Sequence, residues 1–243
     1  MGRRVLVTRP EPGASATAAR LRAAGFEPLL LPLTEVVPLH AALPEGLFDA
    51  VAVSSANAVR HATAAMIERL DGTACFAVGA ETAQAARQAG FGSVIVGGGD
   101  AAALAKTVIG SAPQRARVLY LAGRVRRPTF EQTVRESGRD VVVVETYDTL
   151  AVADAAARID AVAGGEPIDA VLLYSALASE LLAELVAARP EVAAKLEAAF
   201  FLGLSARVGT ALRQRWRERF CAAGTPDEDA LFNLLEMLSR SAP

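Results

Sequence analysis

Residues 48–59, FDAVAVSSANAV, place a short apolar strand, a polar turn and a helix start in one continuous run. The four apolar residues 50–53 suit a strand that is buried on both faces of a parallel sheet. Ser54 and Ser55 follow at once, and serine is a preferred N-cap of helices. Apolar residues then recur at helical spacing, at Val59, Ala62, Met66 and Leu70. The run therefore predicts half of a βαβ unit, with one helix that extends from the serine turn to Leu70.

The same pattern returns at residues 168–182, IDAVLLYSALASELL, where Tyr174 and Ser175 take the places of Ser54 and Ser55. Two more pairs of segments match, residues 4–36 with 117–149 and residues 75–109 with 199–237. The matching segments lie much farther apart along the chain than the roughly 20 to 50 residues that separate the repeats of a solenoid. The chain therefore contains a duplicated α/β unit.

Composition limits the class of protein. The 243 residues are 52% hydrophobic, so they can bury one large core or two ordinary ones, and the duplication favours two. The net charge of −2 gives no sign of a nucleic-acid partner, which would need a clustered basic surface. Cys75 and Cys221 form no metal or redox spacing, and we expect reduced thiols. Without a signal peptide or an uninterrupted run of roughly 18 apolar residues, we expect a cytoplasmic protein with no membrane partner.

Strands and helices alternate along the chain, which predicts two doubly wound, flavodoxin-like parallel sheets. Residues 32–39, PLTEVVPL, and residues 145–152, ETYDTLAV, are instead extended and lie at matching places of the repeat. We interpret them as a two-stranded antiparallel connector between two α/β domains. One domain then combines residues 1–36 and 152–243, an inserted domain spans 41–146, and the connectors are 37–40 and 147–151. The residues alone also permit two consecutive halves. After the second connector, we expect helices over 205–217 and 227–238.

Motifs for cofactors are missing from the chain. Its two histidines, His40 and His61, have no ligand or triad partner at a motif spacing. Residues 97–105, GGGDAAALA, lack the lysine and the spacing of a phosphate loop, and no GxGxxG follows the first strand. We therefore expect neither a metal nor a nucleotide cofactor.

Small polar residues gather where the predicted strands end. Ligands of α/β sheets bind at this edge, where helix N-termini hold carboxylates or phosphates through backbone amides. The alternative is that each polar side chain only caps its own helix. Positive charge is added there by Arg9, Arg124, Arg126 and Arg127, although residues 124–127 could instead form an ordinary solvated turn. The predicted binding residues are Arg9, Ser54, Ser55, Asn57, Gly79, Thr82, Gly123, Arg127, Ser175, Gly203, Ser205 and Thr225.

In their order and spacing, six segments together resemble the uroporphyrinogen-III synthase family. They are VLVTRPEP at 5–12, SSANAV at 54–59, VGAETAQAARQAG at 78–90, the GxxxR of 123–127, YDT at 147–149 and LGLSARVGTAL at 202–212. The resemblance implies two α/β domains joined by a two-stranded ladder, with one domain built from both chain ends. Two positions depart from the family pattern: Ala122 replaces an arginine frequent in bacterial members, and Tyr174 replaces the usual threonine.

The resemblance also implies a reaction, the closure of the linear tetrapyrrole hydroxymethylbilane with inversion of its last ring through a spiro intermediate, in a cleft between the domains. This lyase activity belongs to tetrapyrrole, porphyrin and heme biosynthesis. The pyrrole drives loss of the hydroxyl, so the protein mainly folds the substrate. Tyr147 is the candidate proton donor, or else a packing residue of the connector. We expect a monomer in transient contact with the preceding enzyme; the alternative function is a non-catalytic two-domain sensor of small anions.

Overall fold

The computed structural model describes residues 2–241, in which short strands alternate with helices. The strands are β1 Arg4–Val7, β2 Glu27–Leu30, β3 Thr34–Pro38, β4 Ala50–Val53, β5 Cys75–Ala77, β6 Val94–Val96, β7 Arg117–Gly123, β8 Asp140–Ala151, β9 Ala170–Leu173, β10 Phe200–Gly203 and β11 Phe220–Ala222. The helices are α1 Gly13–Ala23, α2 Ala56–Arg60, α3 Ala64–Glu68, α4 Ala80–Ala89, α5 Ala101–Ser111, α6 Thr129–Glu136, α7 Ala155–Ala163, α8 Ala176–Ala188, α9 Pro190–Lys195, α10 Arg213–Trp216 and α11 Glu228–Ser241. Within this part of the chain, no helix has the length and apolar composition needed to cross a membrane.

The chain divides into two compact units. Unit 1 comprises Met1–Glu35 and Leu150–Pro243, and unit 2 comprises Val36–Thr149; residues 1, 242 and 243 lie outside the described part. The residues of each unit mainly contact one another, but this does not show that either unit folds alone. The prediction of an independent domain at residues 41–146, with residues 1–36 and 152–243 as the other domain, therefore stays a prediction.

Both units are built on parallel sheets, which confirms the predicted α/β class. The sheet of unit 1 has the order β11-β10-β9-β1-β2, and the other sheet has the order β3-β8-β7-β4-β5-β6. In unit 1 this is the flavodoxin-like order 2-1-3-4-5. Unit 2 has the same spatial arrangement, but its chain begins at β4 and reaches β7 and β8 last. The sequence repeat agrees with this arrangement, because it pairs β1 and β2 with β7 and β8. Unit 2 is therefore a circular permutation of unit 1.

Strand β4 shows why the apolar run 50–53 forms a central strand. All four of its residues are fully buried. Side chains alternate between the two faces of a strand, so Val51 and Val53 join one apolar cluster while Ala50 and Ala52 join another. A continuous apolar run, and not an alternating one, is what a strand covered by helices on both faces requires.

The two extended segments pair as predicted. Strand β3 lies beside β8 in the sheet. Leu39 donates its backbone N–H to Thr146, and Val152 donates to Leu33, at 2.9 and 3.0 Å. Residue numbers rise along one strand while they fall along the other, so the pair is antiparallel. Strand β8 continues without a break from Asp140 to Ala151.

The helix predicted to extend from the serine turn to Leu70 is wrong in one respect, because the chain forms two short helices. Thr63 separates them with an extended backbone, and its hydroxyl accepts from the Met66 N–H at 3.2 Å, capping α3. A β-branched hydroxyl residue competes well for such a cap. Val59, Met66 and Leu70 nevertheless lie in one buried cluster, as the spacing predicted.

The helix predicted over 205–217 is also wrong. Successive turns with hydrogen bonds between residues i and i+3 replace most of it, such as those from the Val208 N–H to Ser205 and from the Leu212 N–H to Gly209. In this segment only α10 and a short 3-10 turn at Arg217–Arg219 are helical. The Phe220 ring lies against Gly209, where a β-carbon would overlap it. Packing of that ring therefore takes precedence over helix formation. Two further helices, α7 and α9, form at residues 155–163 and 190–195, where the sequence predicted none.

Candidate functional site

Each unit has one point at its carboxyl edge where the order of the strands reverses, and ligands of α/β proteins bind at such points. In unit 1 it lies between β1 and β9, and in unit 2 between β4 and β7. The predicted residues fall on or next to the segments that leave these strands or their neighbours. In unit 2 they are Ser54, Ser55, Asn57, Gly79, Thr82, Gly123, Arg127 and Tyr147, and in unit 1 Arg9, Ser175, Gly203, Ser205 and Thr225.

Tyr147 lies on β8 beside the carboxyl end of β7. The pairing of the two strands is irregular between Ala122 and Gly123, and this shift sets Gly123 opposite Tyr147. The Arg124 N–H donates to the Tyr147 carbonyl at 2.9 Å, which fixes the backbone. The ring is half-buried, its centroid is 6.1 Å from that of His61, and no described residue forms a hydrogen bond with its hydroxyl. The residue is therefore held in place with its hydroxyl open to a ligand.

The arginines near this edge are largely neutralised by carboxylates. Arg124 contacts Glu145 at 3.2 Å and Asp148 at 3.1 Å, and Arg126 contacts Glu131 at 2.6 Å and Glu145 at 2.7 Å. Hydrogen bonds from Arg126, against the opposing effect of burial, lower the pKa of Glu145. Three of these side chains, Arg124, Arg126 and Glu145, also line a cavity of about 410 Å³. The expected excess of positive charge is thus mostly compensated.

Arg127 differs from its neighbours. Its side chain is exposed, and among the described residues it has no carboxylate partner. It is the arginine of the GxxxR segment, and its charge is therefore free to meet an anion.

Ser54 is held by a residue that sequence reasoning missed. Its hydroxyl lies 2.6 Å from that of Tyr120, a β7 side chain only 2% exposed. Burial raises the pKa of Tyr120, so the phenol stays protonated. A buried tyrosine needs a partner for its hydroxyl, and the single tyrosine in the apolar run 118–122 was the signal for one.

The capping alternative accounts for part of the predicted set. The Ser55 hydroxyl accepts from the Asn57 N–H at 3.2 Å, and that of Ser175 accepts from Ala178 at 3.1 Å. Gly79 at the start of α4 has no side-chain cap, and a β-carbon there would meet no atom within 4 Å. Ser55 and Ser175 therefore cap their own helices, whereas the space at Gly79, at the start of α4, is open.

Four other predicted residues differ in exposure. Thr82 is 5% exposed on α4, and Gly203 is buried where a β-carbon would meet the Phe220 ring at 2.8 Å. These two are integrated into the packing of their units. Ser205 is half-buried and Thr225 is exposed, so both hydroxyls remain accessible.

Arg9, in unit 1, belongs to a network that the sequence did not reveal. Its guanidinium lies 4.4 Å from the centroid of the Tyr174 ring and donates through Nη1 to Glu228 at 3.0 Å. Glu228 is the first residue of α11. Burial opposes its ionisation, but hydrogen bonds from Thr17 and Tyr174 and the charge of Arg9 lower its pKa. Burial, together with the Glu228 carboxylate, raises the pKa of Tyr174.

Possible metal ligands do not cluster in the part of the chain that the structure describes, since no three His, Cys, Asp or Glu side chains come together to hold an ion. Both cysteines are free, and burial raises the pKa of Cys75 to about 12.

Comparison with known proteins gives a family match and structural likenesses. Residues 15–233 match the family model described as Uroporphyrinogen-III synthase HemD. The chain resembles uroporphyrinogen-III synthetase from Helicobacter pylori, with 15% identity, a TM-score of 0.65, and coverage of 98% of this chain and 100% of that one. It also resembles a mutant uroporphyrinogen III synthase from Thermus thermophilus, with 19% identity, a TM-score of 0.57 and 98% coverage of both chains. At these identities the structures support the fold. No curated protein matches the chain significantly.

Proposed function

Because the chain belongs to the uroporphyrinogen-III synthase family, we propose that it closes hydroxymethylbilane to uroporphyrinogen III with inversion of ring D. The family match over residues 15–233 is the observation that carries this proposal. The activity is that of a cyclising lyase, in porphyrin and heme biosynthesis. A non-catalytic sensor of small anions is not favoured, because the matching family is one of enzymes.

The reaction places few chemical demands on the protein. The pyrrole next to the hydroxymethyl group pushes electrons toward it, the carbon–oxygen bond breaks, and the hydroxyl leaves as water once it has gained a proton. The substituted carbon of ring D then attacks the resulting azafulvene to give a spiro intermediate. The bond from that carbon to the bridge that had joined it to ring C then breaks, which leaves an azafulvene on ring C. The free α carbon of ring D attacks this azafulvene, and loss of a proton restores the pyrrole of the inverted product. The protein must mainly select which carbon attacks, and each 1.4 kcal/mol of preference is worth about tenfold in product ratio.

We assign Tyr147 the role of proton donor to the departing hydroxyl. In support, its phenol is half-buried beside Gly123 and has no hydrogen-bond partner among the described residues. A phenol held within reach of a leaving oxygen can supply a proton as the bond breaks.

The substrate carboxylates require donors, which the carboxyl edges supply. We propose that Arg127, the N–H groups around Gly79 and Arg9 are such donors. We propose that Ser54, whose hydroxyl lies 2.6 Å from that of Tyr120, adds a further polar group at the end of β4. Such donors suit carboxylates because hydrogen bonds to a charged acceptor are stronger than neutral ones. The remaining predicted residues, Ser55, Asn57, Thr82, Gly123, Ser175, Gly203, Ser205 and Thr225, are proposed to shape the turns around the substrate.

The setting of the reaction follows from the same proposal. We propose that the enzyme needs no cofactor and acts as a cytoplasmic monomer without nucleic-acid or membrane partners. It would receive its unstable substrate through transient contact with the preceding enzyme of the pathway.

The decisive experiment is incubation with freshly prepared hydroxymethylbilane, followed by oxidation and chromatographic separation of the porphyrin isomers. Buffer alone should give the symmetric isomer, because spontaneous closure does not invert ring D. The protein, after dialysis against a chelator, should give mainly the inverted isomer. An isomer ratio equal to that of buffer would refute the proposed function, and dependence on an added metal would refute its cofactor-free form.

A further inference from the structure

Arg9 is immobilised along one side of its guanidinium. Its Nη1 donates to Glu228 at 3.0 Å and to Thr17 at 3.4 Å, and its plane lies against the Tyr174 ring. A free arginine side chain has considerable rotamer entropy to lose on binding a ligand. Here most of that loss has occurred on folding, because three neighbours already hold the group.

The other side of the guanidinium is unoccupied by protein acceptors. Among the side chains and backbone groups that the structure describes, neither Nε nor Nη2 of Arg9 has a hydrogen-bond acceptor, although arginine carries five N–H donors. About a quarter of the side chain is exposed. Next to these two nitrogens lies Gly13, where a β-carbon would overlap Nε and lie 2.8 Å from Nη2, so that only a glycine leaves this position clear.

Glu228 organises the network from α11. Its Oε1 accepts from Thr17 at 2.5 Å, from Tyr174 at 2.7 Å and from Arg9 at 3.0 Å, while its Oε2 accepts from Arg20 at 2.7 Å. One carboxylate oxygen therefore holds both the Tyr174 ring that lies against Arg9 and the Nη1 nitrogen of the guanidinium.

We propose that Glu228 and Tyr174 are positioning residues that hold Arg9 with its Nε and Nη2 donors directed at a carboxylate of the tetrapyrrole substrate. This inference rests on the proposed function. It gives a specific role to Tyr174, which replaces the threonine usual in the family, because its ring supports the guanidinium and its hydroxyl binds Glu228. A preorganised donor gains affinity because less freedom is lost on binding.

The test is a kinetic double-mutant cycle in the full chain. We expect Glu228→Gln to raise KM for hydroxymethylbilane about tenfold with kcat nearly unchanged, as for loss of uniform binding. Tyr174→Phe should act in the same direction but less. In an Arg9→Ala background, Glu228→Gln should raise KM no further, since Glu228 acts through Arg9. Arg9→Lys should also raise KM, because lysine lacks the planar fork.

Asp229→Asn is the matched control. This substitution removes one carboxylate from the same turn of α11. The Asp229 side chain contacts Arg20 at 2.5 Å and makes no contact with Arg9. The KM of this variant should equal that of the unchanged protein. If Glu228→Gln lowers the melting temperature but leaves KM unchanged, or raises KM equally without Arg9, the inference is overturned.

A second readout separates the inference from the proposed function. Uroporphyrin III carries the carboxylates of the product and is stable, so its Kd can be measured by fluorescence titration without turnover. Weaker binding in Glu228→Gln, absent in the Arg9→Ala background, supports the inference even if the isomer assay fails. Unchanged binding in Glu228→Gln, with clear loss in Arg9→Ala, overturns it while leaving the function intact.

Discussion

The Tyr147 ring lies so close to Gly123 that a β-carbon on residue 123 would be 2.6 Å from Cζ and 2.9 Å from the phenolic oxygen. The irregular pairing between β7 and β8 brings the two residues opposite each other. A side chain at 123 would have to displace the ring. Tyr147, the proposed proton donor, can therefore take this position only because residue 123 on the neighbouring strand β7 has no side chain.

This contact predicts that Gly123→Ala impairs the enzyme. The added methyl group overlaps the ring, and overpacking in a well-filled region costs about 1–3 kcal/mol. We expect a lower melting temperature and a lower kcat, measured by thermal unfolding and initial rates. Gly110→Ala in α5 is the control, because a β-carbon there meets no atom within 4 Å. Unchanged kcat and melting temperature in Gly123→Ala would contradict the argument.

Tyr147→Phe should slow closure yet leave the inverted isomer as the main product. Loss of an essential general acid costs about a hundredfold to ten-thousandfold in rate. Because the pyrrole already drives departure of the hydroxyl, we expect the low end or less. The rate and the isomer ratio are measured together. Unchanged turnover would reduce Tyr147 to a packing role, and mostly symmetric product would show that it steers the substrate.

Ser55→Ala combined with Asn57→Ala should weaken substrate binding and let released intermediate close to the symmetric isomer. Loss of the Ser55 cap alone costs about 0.5–2 kcal/mol of stability, so a control for capping is needed. Thr63→Ala removes the equivalent cap of α3, whose hydroxyl accepts from Met66 at 3.2 Å. The isomer ratio should change in the double variant and stay constant in Thr63→Ala. An equal change in both would assign the effect to helix stability.

Residues 41–146, expressed alone, should give a cooperatively folded domain. Two apolar clusters of unit 2, on opposite faces of its sheet, draw their buried members from this range. Far-UV circular dichroism and urea unfolding are the measurements, with a fragment 1–115 as the comparison. A folded 1–115 beside an unfolded 41–146 would favour two consecutive halves instead.

The Glu228 network should make stability depend on pH in acid. Its hydrogen bonds and Arg9, against burial, set the folded-state pKa below that of the unfolded chain, ordinarily about 4.3 for glutamate. The stabilisation is therefore fully present above that value and is lost as the pH falls through the folded pKa. The difference in melting temperature between the unchanged protein and Glu228→Gln should be constant from pH 7 to about 5 and shrink toward pH 3. A difference that does not change with pH would contradict the assignment.

The sequence predicted the main elements well because their signals are local. Residues 50–53 form a buried strand, as predicted, and Asp100 and Gly90 show the same kind of local signal. Asp100 caps α5 by accepting from the Ala103 N–H, and Gly90 ends α4 in a left-handed conformation. The predictions of continuous helices at 55–70 and 205–217 are wrong, because in each segment one side-chain contact acts against the helix. The cap of Thr63 and the packing of Phe220 against Gly209 overrode helical periodicity.

For the candidate site, the sequence identified the turns but not their contacts. It placed Ser54 and Arg9 at strand ends, and the structure adds what holds them. Tyr120 reaches Ser54 from 66 positions away, and Glu228 reaches Arg9 from 219 positions away. These residues lie too far apart in the sequence for a local pattern to link them, so the sequence did not predict their contacts.

The sequence by itself determined the duplicated α/β unit, the buried strands and the small polar turns, because periodicity, caps and glycines act on residues a few positions apart. Only the tertiary structure decided which turns become neighbours, because that depends on strand order. The two units arrange their strands alike but enter the arrangement at different points along the chain. Only that order, together with the parallel pairing of β7 and β8, sets Tyr147 against Gly123 and joins Arg9 to Tyr174 and Glu228.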